Sequence, residues 1–193
     1  DDTGYATGMQ DSATIYTENV VMGGRQGHGF AAEKANHLID KFAGEDAHLI
    51  GGDNAKNGAD RLVSGQQIQT KYCSSGAKCV AETFENGTFR YMDSTGKPMQ
   101  IEVPSDKYAD ALKAMEDRIK KGQVPGITDP AAAKDVIRKG HLTYEQACNV
   151  AKAGTVESLT YDAANGIKLA GTAMGLTALL TFAVGVWQGK SKA

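Results

Sequence analysis

The chain has little cysteine, little proline and no excess of charge of either sign. Its 193 residues include three cysteines and four prolines, with a formal net charge of −2 and a pI near 6.1. A balance so close to neutrality excludes a globally basic surface, so a nucleic-acid partner would need a local basic patch. The remaining composition, 41% hydrophobic and 23% charged, indicates a folded domain, or a domain with an appendage, rather than a disordered chain.

The cysteines are too few, and odd in number, for a disulfide framework. Cys73 and Cys79 are close enough in sequence to form one bridge, but two thiols alone make a poor zinc site. Reduced structural cysteines are therefore the favoured interpretation. The chain begins Asp-Asp, shows no signal peptide and is expected to be a segment of something longer. Its localisation is left open between the reduced cytoplasm and a secreted effector, with membrane association possible.

Several motifs with a known chemistry are missing from the sequence. No Gly-x-x-x-x-Gly-Lys-[Ser/Thr] loop is present, so a nucleotide-phosphate loop of that kind is excluded. The four histidines form no His-x-x-x-His pair, which argues against a histidine-based zinc site. A cysteine–histidine nucleophile pair has no local signature, although the sequence does not exclude one.

The order of patterns predicts an α+β fold, in which a helix is followed by a small mixed β-sheet and then by a helical C-terminal region. Residues 1–26, rich in Gly, Thr, Asp and Asn, are predicted to form a flexible arm. Residues 27–122 form the predicted α+β core, which opens with an amphipathic helix from Phe30 to Phe42. Residues 123–166 are predicted to form a helical hairpin region.

The C-terminal segment 167–189 differs from the rest of the chain. From Leu169 to Trp187 the sequence carries no charge, and it contains Gly171-x-x-x-Gly175. This run is just long enough for a helix to cross a bilayer, and small residues at that spacing favour close helix packing. A membrane-associating helix and a helix packed against a protein partner are both consistent with it.

A hairpin predicted between Asp60 and Lys71 contains the chemistry of most interest. Residues two apart in a strand share a face, so Gln69 and Lys71 point the same way, and Asp60 on the paired strand can join them. Glu33 lies on the preceding helix, one turn from His37. An acid, an amide oxygen and a nearby cation suit a divalent metal acting on a phosphodiester. The alternative is the ordinary polar face of a sheet beside a solvated helix surface.

This arrangement resembles the PD-(D/E)XK superfamily, the restriction-endonuclease-like nucleases, over roughly residues 28–103. In that superfamily a helix precedes a small sheet, with a metal-binding acid and a (Asp/Glu/Gln)-x-Lys pair on adjacent central strands. The resemblance implies that Asp60 is the metal-binding acid, Gln69 the second ligand, Lys71 the catalytic lysine and Glu33 the helical acid. The sequence departs from the pattern in having Gln69 in place of an acid, and Ala59 rather than a proline before Asp60.

The resemblance implies Mg²⁺ held by Asp60, Glu33 and Gln69, with Lys71 orienting the attacking water or neutralising developing charge. The residues expected to contact the phosphate backbone of the substrate are Arg61, Lys56 and Lys78.

The predicted function is therefore metal-dependent hydrolysis of nucleic acid, with DNA favoured, in a toxin, effector or defence protein. The alternative is a non-enzymatic interaction module, or a membrane-active toxin module that uses residues 167–189.

Overall fold

The computed structural model describes residues 27–50, 56–152, 159–162 and 166–169. The described chain opens with helix α1, Gly27–Phe42. Ala31, Ala35 and Ile39 recur at helical spacing and are fully buried, as expected for an amphipathic helix against a core. The helix is followed by Gly44, whose φ of 82° is the left-handed conformation that glycine adopts readily.

A mixed five-stranded sheet forms the centre of the fold. Its strands are β1 (Ala47–Leu49), β2 (Arg61–Val63), β3 (Gln66–Thr70), β6 (Gln100–Val103) and β7 (Ile137–Lys139), adjacent in that order. Strands β1, β2 and β3 pair antiparallel, whereas β3 with β6 and β6 with β7 pair parallel.

The β2–β3 hairpin turns through two residues, Ser64 and Gly65, with φ values of 47° and 80°. Positive φ at both positions is the conformation of a type I′ turn, whose twist matches that of the strands it joins. In the resulting register Arg61 is opposite Ile68. The turn therefore fixes the alignment of the strand that carries Gln69 with the strand that begins after Asp60.

The parallel strands are joined by longer crossovers. Between β3 and β6 lie helix α2 (Gly76–Ala81) and a small hairpin of β4 (Phe84–Glu85) and β5 (Thr88–Phe89). Between β6 and β7 lie a short 3₁₀ turn and helix α3 (Tyr108–Lys120), then a second 3₁₀ turn and the short helix α4 (Ala133–Val136). Ser75 caps α2, because its side chain accepts a hydrogen bond from the Lys78 backbone N–H at 3.2 Å.

The core has two larger parts. One part joins α2, α3 and strands β6 and β7, and the other packs α1 against helix α5 (Tyr144–Lys152). Tyr72 is buried in this second part, donating from its hydroxyl to the Leu142 carbonyl at 2.9 Å and accepting from Asn36 Nδ2 at 3.1 Å. These two bonds satisfy a hydroxyl that would otherwise be costly to bury.

The α+β class and the small mixed sheet after the first helix are confirmed. The expectation that residues 123–166 form a helical hairpin is wrong in two places. Ile137–Lys139 is a strand parallel to β6, and Leu159–Asp162 (β8) pairs with Gly166–Leu169 (β9) as an antiparallel hairpin. Ile137 is buried in the sheet beside Ile101, and this tertiary pairing outweighs the weak local helix pattern.

Two predicted segments lie wholly or mostly outside the described residues. The predicted N-terminal arm, residues 1–26, lies wholly outside them, and the predicted hydrophobic segment 167–189 lies outside them beyond Leu169. Within the described ranges, none of the helices combines the length and apolar character that crossing a membrane requires.

Candidate functional site

A pocket of about 510 Å³ opens beside α1, at the ends of β3 and α2. Helix α1 contributes Glu33 to its wall, and the hairpin contributes Asp60 and Gln69. The segment after β3 contributes Lys71 and Cys73. The four residues predicted to form a catalytic and metal-binding group, Glu33, Asp60, Gln69 and Lys71, thus line one pocket.

Asp60 is held in place by the hairpin that follows it. Its backbone N–H donates to the Ile68 carbonyl at 2.9 Å, and its Oδ2 accepts from the Thr70 backbone N–H at 2.8 Å. Burial raises the pKa of Asp60, although the hydrogen bond from Thr70 and the charge of Lys71 act against the rise. The carboxyl is therefore well ordered but poorly solvated.

Glu33 is the most strongly perturbed carboxyl in the pocket. Burial, with the negative charge of Asp60 as the next contribution, raises its pKa from 4.5 to about 8. A carboxyl in this environment is protonated near neutral pH unless a positive charge arrives. Glu33 is therefore a second acidic group in the pocket, and its ionised form lacks enough positive charge nearby to offset the cost of burial.

Gln69 completes the group with a neutral oxygen. Only 9% of the residue is exposed, and its Oε1 has no hydrogen-bond partner among the described residues. The side chain also hydrogen-bonds Asp60, which lowers the pKa of that acid. Because an amide oxygen buried without a partner is costly, this position is suited to an electropositive ligand.

Lys71 lies on the same pocket wall but is oriented partly by an aromatic ring. Its Nζ lies 5.2 Å from the centre of the Tyr91 ring, and its backbone N–H donates to the Glu102 carbonyl at 2.9 Å. Strict alternation predicts that Thr70 and Tyr72 face away from Lys71, yet both also contribute to the pocket. Strand β3 ends at Thr70, so the alternation that the sequence pattern assumes does not continue to Tyr72.

The three basic residues predicted to contact a phosphate backbone occupy different environments. Lys78 lines the pocket. Lys56 is exposed, lies 3.5 Å from Glu85 and does not line the pocket. Arg61 is fully buried, so the expectation that it contacts a substrate is wrong.

Arg61 instead forms the centre of a buried ion network that sequence reasoning missed. Its Nη2 donates to Asp40 Oδ2 at 2.6 Å and to Glu102 Oε2 at 2.7 Å. Arg138 and His141 complete the network, the first through Glu102 at 3.3 Å and the second through Asp40 at 2.8 Å. These residues are far apart in the chain, and no local pattern pairs them.

The pocket wall also contains residues that had no predicted role. Cys73 lines it from the loop before α2, Glu82 from the position directly after that helix, and Tyr144 from α5. His28 closes the α1 side, where its Nε2 lies 2.8 Å from the Tyr72 carbonyl and its ring meets Tyr144 edge-on. The only local sign of His28 in the sequence was the pair of glycines that flank it, Gly27 and Gly29, in what the structure shows to be the first turn of α1.

The donor set can be compared with what a metal ion needs. In the part of the chain that the structure describes, no group of three or more His, Cys, Asp and Glu side chains is arranged to hold a metal. The predicted donors Glu33, Asp60 and Gln69 are two carboxylates and an amide oxygen, an all-oxygen set of the kind Mg²⁺ accepts while keeping several waters. The raised pKa of Glu33 and the unpartnered Oε1 of Gln69 both fit a bound cation.

A family model described as the YeeR C-terminal domain matches residues 10–120. The chain belongs to the YeeR C-terminal domain family. The matched range of this YeeR C-terminal domain includes Glu33, Asp60, Gln69 and Lys71. The inner membrane protein YeeR of Escherichia coli (strain K12) is 51% identical over 109 residues. That match covers 55% of this chain and 21% of the relative, so the chain spans about a fifth of the relative's length. No solved structure matches the chain.

These comparisons overturn the predicted function. The matching family is described as the YeeR C-terminal domain, and the relative is named an inner membrane protein. Neither description indicates a nuclease, a hydrolase or a DNA-binding protein. The expectation of a nuclease in a toxin, effector or defence protein is therefore wrong. The likeness to the PD-(D/E)XK superfamily is tested by none of the comparisons and stays a prediction. The relative's name is consistent with the membrane association left open in the sequence analysis.

Proposed function

We propose that the pocket of this YeeR C-terminal domain is a divalent-cation-binding site formed by Glu33, Asp60 and Gln69. The observation that carries the proposal is the buried Oε1 of Gln69, which lacks a hydrogen-bond partner within the described residues, in a pocket that also contains two carboxyls with raised pKa values. A cation would satisfy all three oxygens at once.

Electrostatics favours a doubly charged ion over a monovalent one. Glu33 and Asp60 are both held in surroundings that penalise their charged forms, and a divalent ion offsets two negative charges together. Three oxygen ligands leave the remaining positions of an octahedral ion to water, as Mg²⁺ prefers. The pocket is large enough to hold those waters. A bound ion would therefore sit against three protein oxygens and face solvent on its other side.

Calorimetric titration of the full chain with MgCl₂ and with MnCl₂ tests the proposal. We expect binding to the wild-type protein, and a loss of affinity of about tenfold or more in Gln69→Leu and Asp60→Asn. Gln67→Leu is the matched control, because it makes the same substitution in the same strand at a residue outside the pocket. Equal affinities for Gln69→Leu and Gln67→Leu would contradict the assignment of the amide oxygen.

Proton release provides a second readout. Because Glu33 holds a proton below about pH 8, cation binding near pH 7 should displace it. The apparent binding enthalpy should then depend on the ionisation enthalpy of the buffer, and Glu33→Gln should remove that dependence. Binding with no proton release in the wild type would place the ion elsewhere.

Membrane association is proposed separately for the segment 167–189. Its support is the uncharged run from Leu169 to Trp187, together with a relative named as an inner membrane protein. Most of the segment lies outside the described residues, so this proposal rests on sequence. Flotation with vesicles of phosphatidylethanolamine and phosphatidylglycerol should recover the full chain. Recovery should be lost on truncation after Leu169, which keeps strand β9. If the truncated chain also floats with the vesicles, the proposal that residues 167–189 associate with the membrane is wrong.

A further inference from the structure

Two of the three cysteines come together in the pocket wall. Cys73 follows β3, and Cys79 lies in the second turn of α2. The Cys73 backbone N–H donates to Cys79 Sγ at 3.3 Å, and Cys79 Sγ in turn lies 3.8 Å from the Cys73 carbonyl oxygen. The Cys79 sulfur is thus held against the backbone of Cys73, and the two thiols also hydrogen-bond each other.

The two thiols differ in access. Cys79 is fully buried, whereas Cys73 is 7% exposed and lines the pocket. A small solute that enters the pocket therefore meets Cys73 first. Cys73 Sγ also lies 3.4 Å from Glu82 Oε2, so a carboxylate is placed to receive its proton.

We infer that Cys73 and Cys79 are a reversible dithiol–disulfide pair, in which Cys73 reacts with a peroxide and Cys79 closes the bridge. This oxidation site does not depend on the pocket binding a cation. In the first step the Cys73 thiol passes its proton to Glu82 and attacks one oxygen of the peroxide. With hydrogen peroxide, the O–O bond breaks, the products are a sulfenic acid on Cys73 and water, and the sulfur is oxidised.

In the second step the Cys79 sulfur attacks the sulfur of the Cys73 sulfenic acid. The S–S bond forms, the S–O bond breaks, and the hydroxide leaves as water after taking up the Cys79 proton. Two thiols and one hydrogen peroxide thus give one disulfide and two waters. Hydrogen bonds from the Cys73 side chain and backbone lower the pKa of Cys79, the attacking sulfur in this step. The hydrogen bond to Cys79 and burial raise the pKa of Cys73, so the first step depends on the proton transfer from Cys73 to Glu82.

Peptide mapping of the full-length Cys148→Ser protein tests the inference, since that substitution leaves only the two thiols in question. Trypsin cleaves after Lys71, Lys78 and Arg90, so residues 72–78 and 79–90 separate unless a disulfide joins them. After brief exposure of the folded protein to hydrogen peroxide, we expect the joined peptide in place of the two free ones. Dithiothreitol should restore both.

Two variants assign the roles. In Cys79→Ser the Cys73 sulfenic acid cannot be resolved, so dimedone should label Cys73 and no joined peptide should form. Glu82→Gln should slow bridge formation by about tenfold or more while keeping both thiols. Circular dichroism of each variant checks that it folds, and the mapping result for Cys148→Ser stands independently of these two variants.

Three results would overturn the inference. The first is peroxide treatment that leaves the peptides 72–78 and 79–90 separate while the thiols stay reduced. The second is stable Cys73 sulfenic acid in the presence of Cys79. The third is a bridge that forms only after the protein has been unfolded in urea.

Discussion

Glu33 on α1 and Asp60, the residue directly before β2, line the same pocket, and the charge of Asp60 adds to burial in raising the pKa of Glu33 to about 8. The relationship joins the first helix to the hairpin and makes the ionisation of one acid depend on the other. Its consequences extend to stability, because a group whose pKa changes on folding links the free energy of unfolding to pH.

Glu33→Gln should therefore change how stability depends on pH. Between pH 4.5 and about pH 8 the folded wild-type protein keeps a proton on Glu33 that the unfolded chain releases, so this group makes stability fall as pH rises. The variant lacks that loss, and its advantage in the free energy of unfolding over wild type should grow by about 4 kcal/mol from about pH 5 to about pH 9. Urea denaturation at both pH values measures it. Glu145→Gln, at an exposed site, is the control and should show no such growth.

Arg61→Ala should be among the most damaging substitutions in the described core. It leaves Asp40 and Glu102 buried without their main partner, which should cost about 3 to 5 kcal/mol in the free energy of unfolding. Lys56→Ala breaks an exposed ion pair and should cost less than about 1 kcal/mol. Urea denaturation of both variants gives the comparison, and similar losses in the two would contradict the importance assigned to burial.

Asp40→Asn should lower the free energy of unfolding at neutral pH but not in acid. Burial alone would raise the pKa of Asp40, but the hydrogen bond from His141 and the charge of Arg61 lower it from 3.8 to about 2. The ionised group therefore stabilises the fold above pH 3.8, and this contribution disappears as pH falls through about 2. At pH 7 we expect a loss of about 2 to 4 kcal/mol. Denaturation curves from pH 7 down to pH 2 should converge for the two proteins; a constant gap would contradict the prediction.

Two glycine-to-alanine substitutions should have opposite effects. A Cβ at Gly140 would overlap the Tyr72 hydroxyl and lie 2.9 Å from the Val103 carbonyl oxygen. Gly140→Ala should therefore cost about 2 kcal/mol or more. A Cβ at Gly29, in α1, meets nothing within 4 Å. Gly29→Ala should raise stability by up to about 1 kcal/mol. Thermal unfolding of both measures this, and a Gly140→Ala protein as stable as wild type would show that Tyr72 can move away.

The features of this protein that follow from its sequence are those set by local interactions. The apolar stripe of α1 and the turn residues Ser64-Gly65 are set by helix periodicity and by the backbone conformations open to glycine. These two features alone place Glu33 ahead of a hairpin that carries Asp60, Gln69 and Lys71. The sequence was therefore sufficient to predict that these four side chains lie at one pocket. It was not sufficient to predict the function of that pocket.

Only the tertiary structure decided the features that depend on residues far apart in the chain. Arg61 has the same charge as Lys56 and Lys78, but the sequence does not show that Asp40 and Glu102 converge on it and draw it into the core. The strand Ile137–Lys139 exists because β6 offers it a parallel partner, which a weak local helix pattern cannot outweigh. By itself the sequence determined the first helix, the hairpin and the residues they carry. Only the tertiary structure decided which charges are buried, because the cost of burying a charge depends on partners supplied by other parts of the chain.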